Sequence, residues 1–292
     1  LLTGNAFLTT YAVFQATVLL RDTPPQTLGS LNSGFGTFST YLITVFPFLV
    51  AYGIVNARSR PARGVLLALL AANLAALFYT ISRAAVLAII VEILVAGIAL
   101  ATYYLPRLSR RQTVAVATLG LAVLLGLSGL FGIQMAKRMP AYHQRNAADV
   151  VEKDPRVTVL WPAAIDNIRA TPLSGGGFGR NAYKLRNPDV AKTSPLHWHA
   201  HNVFLNKGVQ MGLPGILAFV LLLGALAWTI RPTSVLTRER AGTAVYMLAG
   251  LAMIAGVITK NLTDDYFVRD NALMFWLLAG ALAGALRGSE KG

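Results

Sequence analysis

Apolar runs of membrane-crossing length recur along this chain, and they constrain its fold more than any other feature. An α-helix needs about 20 residues to cross a hydrocarbon core of roughly 30 Å. Eight segments approach that length: 4–20, 37–55, 64–81, 84–104, 113–134, 203–229, 241–258 and 271–286. Backbone polar groups must pair internally in lipid, and the alternation of period two that marks a membrane barrel is absent. We therefore predict an all-α fold, a polytopic bundle of transmembrane helices.

Composition and charge exclude several other classes of protein. The chain is 55% hydrophobic and 13% charged, with a mean hydropathy of +0.55, which is too apolar for an ordinary soluble domain. It has no cysteine, which excludes disulfide bracing and thiol chemistry. The net charge of +14 is attributed mainly to membrane orientation and anionic lipid headgroups, so we expect no nucleic-acid partner.

Basic residues predict the orientation of the spans. Arginines cluster in 56–64, 106–112 and 231–240, and the tail adds Arg287 and Lys291. If the eight spans alternate, these segments share one side, which the positive-inside rule makes cytoplasmic. The predicted organisation is then about five spans in 1–135, a long, partly helical outer loop in 136–202, and three spans with a cytoplasmic tail in 203–292.

The outer loop is basic and rich in turns. Residues 136–200 hold ten Lys or Arg against five Asp or Glu, which suggests an anionic ligand, although a solvated loop with a chance excess of cations stays open. The segment "TPLSGGGFGRNAY" (171–183) lacks the flanking strand and the GK[ST] of a nucleotide-binding loop. We expect its glycines to let the backbone pack tightly on the membrane face.

Three histidines precede the next apolar run in "LHWHAHNVFLNKGVQMGLPG" (196–215). If a helix begins at His201, the spacing places it on one stripe with Gly208, Gly212 and Gly215, where another helix can approach closely. A purely interfacial histidine bonded to headgroups is the plainer alternative. The H-x-H-x-H spacing also permits a metal site, but no H-E-x-x-H signature accompanies it, so we predict no metal.

Two arginines have placements that suggest an anionic ligand. Arg83 lies between two apolar runs joined by almost no loop, and Arg156 precedes Trp161 in the outer loop. The guanidinium group stays charged and binds phosphate through two donors. The alternative for Arg83 is that its side chain reaches to lipid headgroups.

Together these residues resemble the lipopolysaccharide O-antigen ligases and the wider O-antigen ligase and polymerase superfamily. His201-Asn202, nine residues, Gly212, two residues and Gly215 match the pattern H-[NSQ]-x9-G-x-x-[GTS]. The order "SRAAVL", "RVTVLW", "PLSGGGFG" and "HN" also matches, and the resemblance covers about residues 37–260. Family members usually have more spans, so we expect others outside this sequence.

The resemblance implies an inverting, metal-independent transfer without a cofactor in the bacterial inner membrane, at its periplasmic face. The donor would be a glycan on undecaprenyl pyrophosphate, and the acceptor a sugar hydroxyl of lipid A-core. His201 would be the base, and Arg83 and Arg156 would stabilise the departing pyrophosphate. Further substrate-binding residues are expected to be Asn202, His199, Arg138 and Arg180. The rival carboxylates for the role of base are Asp264 and Asp265.

Two alternative functions stay open. An O-antigen polymerase or a protein O-oligosaccharyltransferase of the same superfamily would use the same donor with another acceptor. A transporter is disfavoured because Glu92 is the lone carboxylate deep in a span and no inverted repeat is visible.

Overall fold

The computed structural model of the chain describes residues 2–15, 34–80, 82–103, 154–193, 197–231 and 241–289, with isolated positions between 109 and 136. The described residues form helices and turns and contain no strand, which confirms the all-α prediction. The first four helices are α1 (Leu2–Phe14), α2 (Phe35–Asn56), α3 (Arg60–Tyr79) and α4 (Arg83–Tyr103). A π-helical turn (Arg156–Leu160) leads into α5 (Trp161–Ala170), and α6 (Ala182–Arg186) and α7 (Pro188–Thr193) follow. The last helices are α8 (Val203–Ile230), α9 (Ala241–Asn261) and α10 (Arg269–Ser289).

Among the described residues, four helices are long and apolar enough to cross a membrane: α2, α3, α8 and α9 from Gly242 onward. Helices α4 and α10 also lie where spans were predicted. The predicted span 4–20 is described as α1 only as far as Phe14, and most of the predicted span 113–134 lies outside the described residues. The chain is a membrane protein.

Hydroxyl side chains within α2 bond to the backbone of their own helix. In α2, the hydroxyls of Thr40 and Thr44 donate to the carbonyls four residues earlier, at 2.9 and 2.8 Å. The start of α3 is capped by Ser59, whose hydroxyl accepts the Ala62 N–H. These local bonds let hydroxyl-bearing residues lie in an apolar helix without unpaired hydrogens.

The chain divides into two compact units. The first unit comprises 1–134, 227–259 and 269–292, and the second comprises 135–226 and 260–268. In the first unit, Glu92 of α4 is 2% exposed, and its carboxyl group packs against Gly256 of α9, where a Cβ would overlap it. The second unit contains residues 136–202, which were predicted to form the outer loop, and with them the histidine segment, 197–202.

A small apolar core organises the second unit. It joins α5, α6 and α8 through Leu160, Ala164, Ile168, Tyr183 and Val209. The hydroxyl group of Tyr183 donates to the Leu160 carbonyl at 3.2 Å, so this buried polar group is paired. Opposite Ile168 of α5 lies Gly208, where a Cβ would overlap the isoleucine side chain. The close approach expected at this glycine is therefore present.

Helix α8 is broken at Gly212, which corrects the expected continuous glycine stripe. Gly212 has φ 69° and ψ −164°, a non-helical conformation that favours glycine. Pro214 has no N–H to offer the Gln210 carbonyl, and the N–H of Leu213 donates instead to Pro172 at 2.7 Å. His201 was expected to head this helix, but α8 begins two residues later at Val203.

The glycine-rich turn fills this break. The N–H of Gly176 donates to Val209 O at 2.7 Å, and that of Gly177 donates to Gln210 O at 3.1 Å. A Cβ at Gly175 would overlap the backbone of Gln210. The turn therefore donates to the carbonyls of α8 that lose their helical donors at the break. Its backbone packs tightly, as expected from the glycines, although against α8.

Candidate functional site

The histidine segment enters α8 through an asparagine cap. The side-chain oxygen of Asn202 accepts the N–H groups of Phe204 at 2.9 Å and Leu205 at 3.1 Å. Its amide nitrogen donates to Leu262 O at 2.9 Å. Both ends of the Asn202 side chain therefore hold structure, linking the start of α8 to the segment after α9.

His201 has a left-handed backbone, with φ 49°. Few residues other than glycine adopt this region, and such strain is typical of functional sites. The N–H of His201 donates to Nδ1 of His199 at 3.0 Å, and the centroids of the two rings lie 3.9 Å apart. His199 therefore helps to hold His201 in this conformation.

His199 is a neutral, buried partner. It is 5% exposed, and burial first, then electrostatic interaction with His201 and Arg180, lower its pKa to about 3. Because its Nδ1 accepts a hydrogen bond, its proton is on Nε2. The edge of its ring meets Trp198, with centroids 4.3 Å apart, and the Arg180 guanidinium lies 4.4 Å above the Trp198 ring centroid.

An ion-pair chain connects His201 to the end of α9. Nδ1 of His201 lies 3.5 Å from Oδ1 of Asp264, and Oδ2 of Asp264 contacts the ammonium of Lys260. The Lys260 side chain is fully buried, and its ammonium also lies 4.8 Å from the Tyr266 ring centroid. The buried ammonium is stabilised here because it contacts both a carboxylate and the face of an aromatic ring.

The charge state of Asp264 follows from these neighbours. Burial would raise its pKa, but the Lys260 charge, the His201 hydrogen bond and the Arg156 charge together hold the pKa well below the ordinary range. Asp264 is therefore a carboxylate at neutral pH. A carboxylate facing a histidine orients the ring and stabilises its protonated form.

Arg156 contacts the same segment. Its Nη1 donates to Thr263 O at 2.7 Å, and its Nε lies 3.7 Å from Asp154. About a third of the Arg156 side chain, 31%, stays exposed. Arg156 therefore binds the backbone carbonyl of Thr263, and His201 contacts the side chain of the next residue, Asp264.

Asp265 has a structural position. It is 5% exposed, and Oδ2 accepts the Asn206 amide at 2.7 Å, while the Asn206 oxygen accepts the Ala200 N–H at 2.9 Å. Burial raises its pKa, opposed by the Asn206 bond. Trp161 Nε1 donates to Ala200 O at 3.0 Å, so Ala200 is fixed from both sides.

The second unit brings together five of the seven predicted site residues: Arg156, Arg180, His199, His201 and Asn202. Arg83 is partly buried in the first unit, where it is the first residue of α4. Arg138 lies outside the described residues. Sequence reasoning named Asp264 only as a rival base and missed Lys260, whose spacing of four residues from Asp264 is the signal that could have found the pair.

The metal alternative requires several ligating side chains at one place. No group of three His, Cys, Asp or Glu in this part of the chain could hold a metal ion. Nδ1 of His197 lies 2.8 Å from the Thr193 hydroxyl, and Nδ1 of His199 accepts the His201 N–H. The three histidines therefore have separate partners.

Comparison with protein families gives a match over the middle of the chain. The family described as O-antigen ligase matches residues 65–220, which is more than half of the chain. That range contains Arg83, Arg156 and His201 but ends before Lys260 and Asp264. No curated protein matches the chain.

Proposed function

The chain belongs to the O-antigen ligase family, and on that premise we propose that it transfers O-antigen polysaccharide from undecaprenyl pyrophosphate to a sugar hydroxyl of lipid A-core. The reaction takes place at the periplasmic face of the bacterial inner membrane. The mechanism rests on the ion-pair chain His201–Asp264–Lys260 and on Arg156, which donates to the carbonyl of Thr263.

His201 is the base of the proposed reaction. A sugar hydroxyl is a poor nucleophile at neutral pH, and a histidine can accept its proton as the new bond forms. Asp264 faces Nδ1, which favours the tautomer with the proton on Nδ1 and the basic lone pair on Nε2. The carboxylate then stabilises the imidazolium that the proton transfer produces.

The chemical step is a single inverting displacement. The acceptor oxygen bonds to the anomeric carbon, while the bond from that carbon to the phosphate oxygen breaks. The electron pair leaves with undecaprenyl pyrophosphate, and the acceptor proton goes to His201. Arg156 supplies positive charge for the leaving group, and its partial exposure supports this role.

The remaining predicted residues have supporting roles in this proposal. Arg83 matches a functional arginine of the family and would bind the donor pyrophosphate, as would Arg138. Arg180 adds a positive charge beside Trp198 and the histidine pair. His199 and Asn202 position His201 from either side in sequence.

The test compares histidine variants of the full chain in vesicles containing lipid-linked O-antigen and lipid A-core. His201→Gln keeps a hydrogen-bonding group without basicity, so we expect transfer to fall by about 100-fold or more. The control is His197→Gln in the same segment, which should keep near-normal transfer because the His197 ring is only partly buried and contacts the Thr193 hydroxyl.

Arg156→Lys tests the proposed role of the guanidinium. It keeps the charge but loses the planar donor fork, so transfer should fall while the fold is retained.

Full transfer by His201→Gln would overturn the base assignment. Growth of the lipid-linked polymer, with no capped core in the product, would instead identify the chain as a polymerase of this superfamily.

A further inference from the structure

The glycine-rich turn carries an exposed apolar surface that neither the catalytic proposal nor the core uses. Leu173 is 77% exposed and Phe178 is 83% exposed. Both flank the glycines that bond to α8. Two large apolar side chains exposed on one turn are unfavourable in water, so we expect lipid or protein to cover them.

The position of the glycine-rich turn along α8 indicates how deep the turn lies in the bilayer. Every residue of α8 from Met211 to Ala227 is apolar, glycine or proline, whereas Asn206, Lys207 and Gln210 lie before that stretch. Counting about 20 residues back from Ile230, the length that crosses a hydrocarbon core, also reaches Met211. The boundary between headgroups and acyl chains therefore falls near Gln210.

The turn is fixed at that boundary by its backbone bonds. Gly177 donates to Gln210 O at 3.1 Å, and Leu213 donates to Pro172 O at 2.7 Å. Leu173 directly follows Pro172, and Leu213 and Leu217 of α8 are themselves 53% and 58% exposed. The apolar surface of the turn is thus continuous with exposed leucines of a membrane-spanning helix.

The backbone of the turn suits this depth. Irregular backbone is tolerated near lipid only where its polar groups are satisfied within the protein. The N–H groups of Gly176 and Gly177 are satisfied by α8, and Gly175 donates to Thr171 O at 2.9 Å. Exposed Lys184 lies in the following helix, α6, where a cation can reach headgroup phosphates. Arg186 of the same helix donates to Gly175 O at 3.4 Å and so satisfies another polar group of the turn.

We propose that Leu173 and Phe178 insert into the bilayer at the level of Gln210, so that the glycine-rich turn anchors the second unit to lipid. The partner is the acyl-chain layer of a phospholipid bilayer. This surface is separate from the His201 chemistry, and its test needs no transfer activity.

The test uses the absence of native cysteine to place single spin labels in the full chain in lipid nanodiscs. Leu173→Cys and Phe178→Cys are compared with Asp166→Cys and Lys192→Cys, whose native side chains are 73% and 78% exposed. Collision rates are measured with oxygen, which enters lipid, and with a water-soluble nickel chelate. We expect the oxygen-to-nickel ratio to be several-fold higher at the turn than at the controls.

Three results would overturn the proposal. Ratios at 173 and 178 equal to those of the controls would place the turn in water. Protection from both reagents would mean that protein covers it. Dipolar broadening between labels of different molecules would identify that protein as a second copy of the chain. An unfolding temperature close to that of the wild type in each labelled variant confirms that the fold is intact.

Discussion

Replacing Asp264 with asparagine would leave the Lys260 ammonium buried without its charge partner. The Lys260 side chain is fully buried, and Asp264 is 14% exposed, so water cannot replace the lost carboxylate. Breaking a buried pair by removing one partner typically costs about 3–5 kcal/mol. The Tyr266 ring still faces the ammonium, so we expect Asp264→Asn to lower the free energy of unfolding by about 3 kcal/mol, the lower end of that range.

A second variant separates stability from catalysis. Adding Lys260→Met to Asp264→Asn removes both charges, and we expect the unfolding free energy to return to within about 1 kcal/mol of the wild type. Transfer should stay about 100-fold or more below wild type in both variants, because His201 has lost its carboxylate. The matched control is Asp166→Asn, whose exposed pair with Arg169 should contribute about 1 kcal/mol or less.

The assay is unfolding of the purified full chain at pH 7, alongside transfer in vesicles. The depressed pKa of Asp264 means that its stabilisation is complete above the ordinary aspartate range and is lost as pH falls through the folded-state pKa, so pH 7 measures it in full. A stability loss no larger than that of Asp166→Asn would refute the buried pair. Wild-type transfer by the double variant would refute the role of the carboxylate.

Two further predictions concern backbone geometry and pH. Gly212→Ala should destabilise the chain by about 1–3 kcal/mol, because φ 69° with ψ −164° is a conformation that residues other than glycine rarely adopt, and the overlap with Pro172 should add to this loss. Gly224→Ala in the same helix has open space and should be neutral. Equal melting temperatures of the two variants would contradict the helix break. His199 stays neutral down to about pH 3 in the folded state, while the unfolded chain takes up its proton near the ordinary value of about 6.5, so stability should fall as pH is lowered through that window. His199→Asn, which keeps an acceptor but does not titrate, should flatten stability between pH 5 and pH 6.5, and an unchanged slope would contradict the assignment.

Local sequence patterns were sufficient to predict the helical class and several helix positions. Runs such as 37–55 and 203–229 match α2 and α8 closely, because hydrophobic length is a property of consecutive residues. The close approach at Gly208 and the tight packing of the glycine-rich turn were also predictable, because a missing Cβ shows directly in the sequence.

The ends of elements were predicted less well where two local signals competed. The spacing of His201, Gly208 and Gly212 fits one continuous helix, but Pro214 withholds a donor and Pro172 offers an acceptor to Leu213. The acceptor is about 40 residues away along the chain, so helical periodicity contains no information about it.

The sequence by itself determined that His201 precedes a membrane-length apolar run and that basic residues populate the preceding loop. Only the tertiary structure decided which carboxylate faces this histidine. Asp264 and Asp265 are adjacent in sequence, yet Asp264 meets His201 and Lys260, while Asp265 meets Asn206. Successive residues in the irregular segment after α9 point their side chains in different directions, and the separation of 63 residues between His201 and Asp264 is closed by the fold, not by any local pattern.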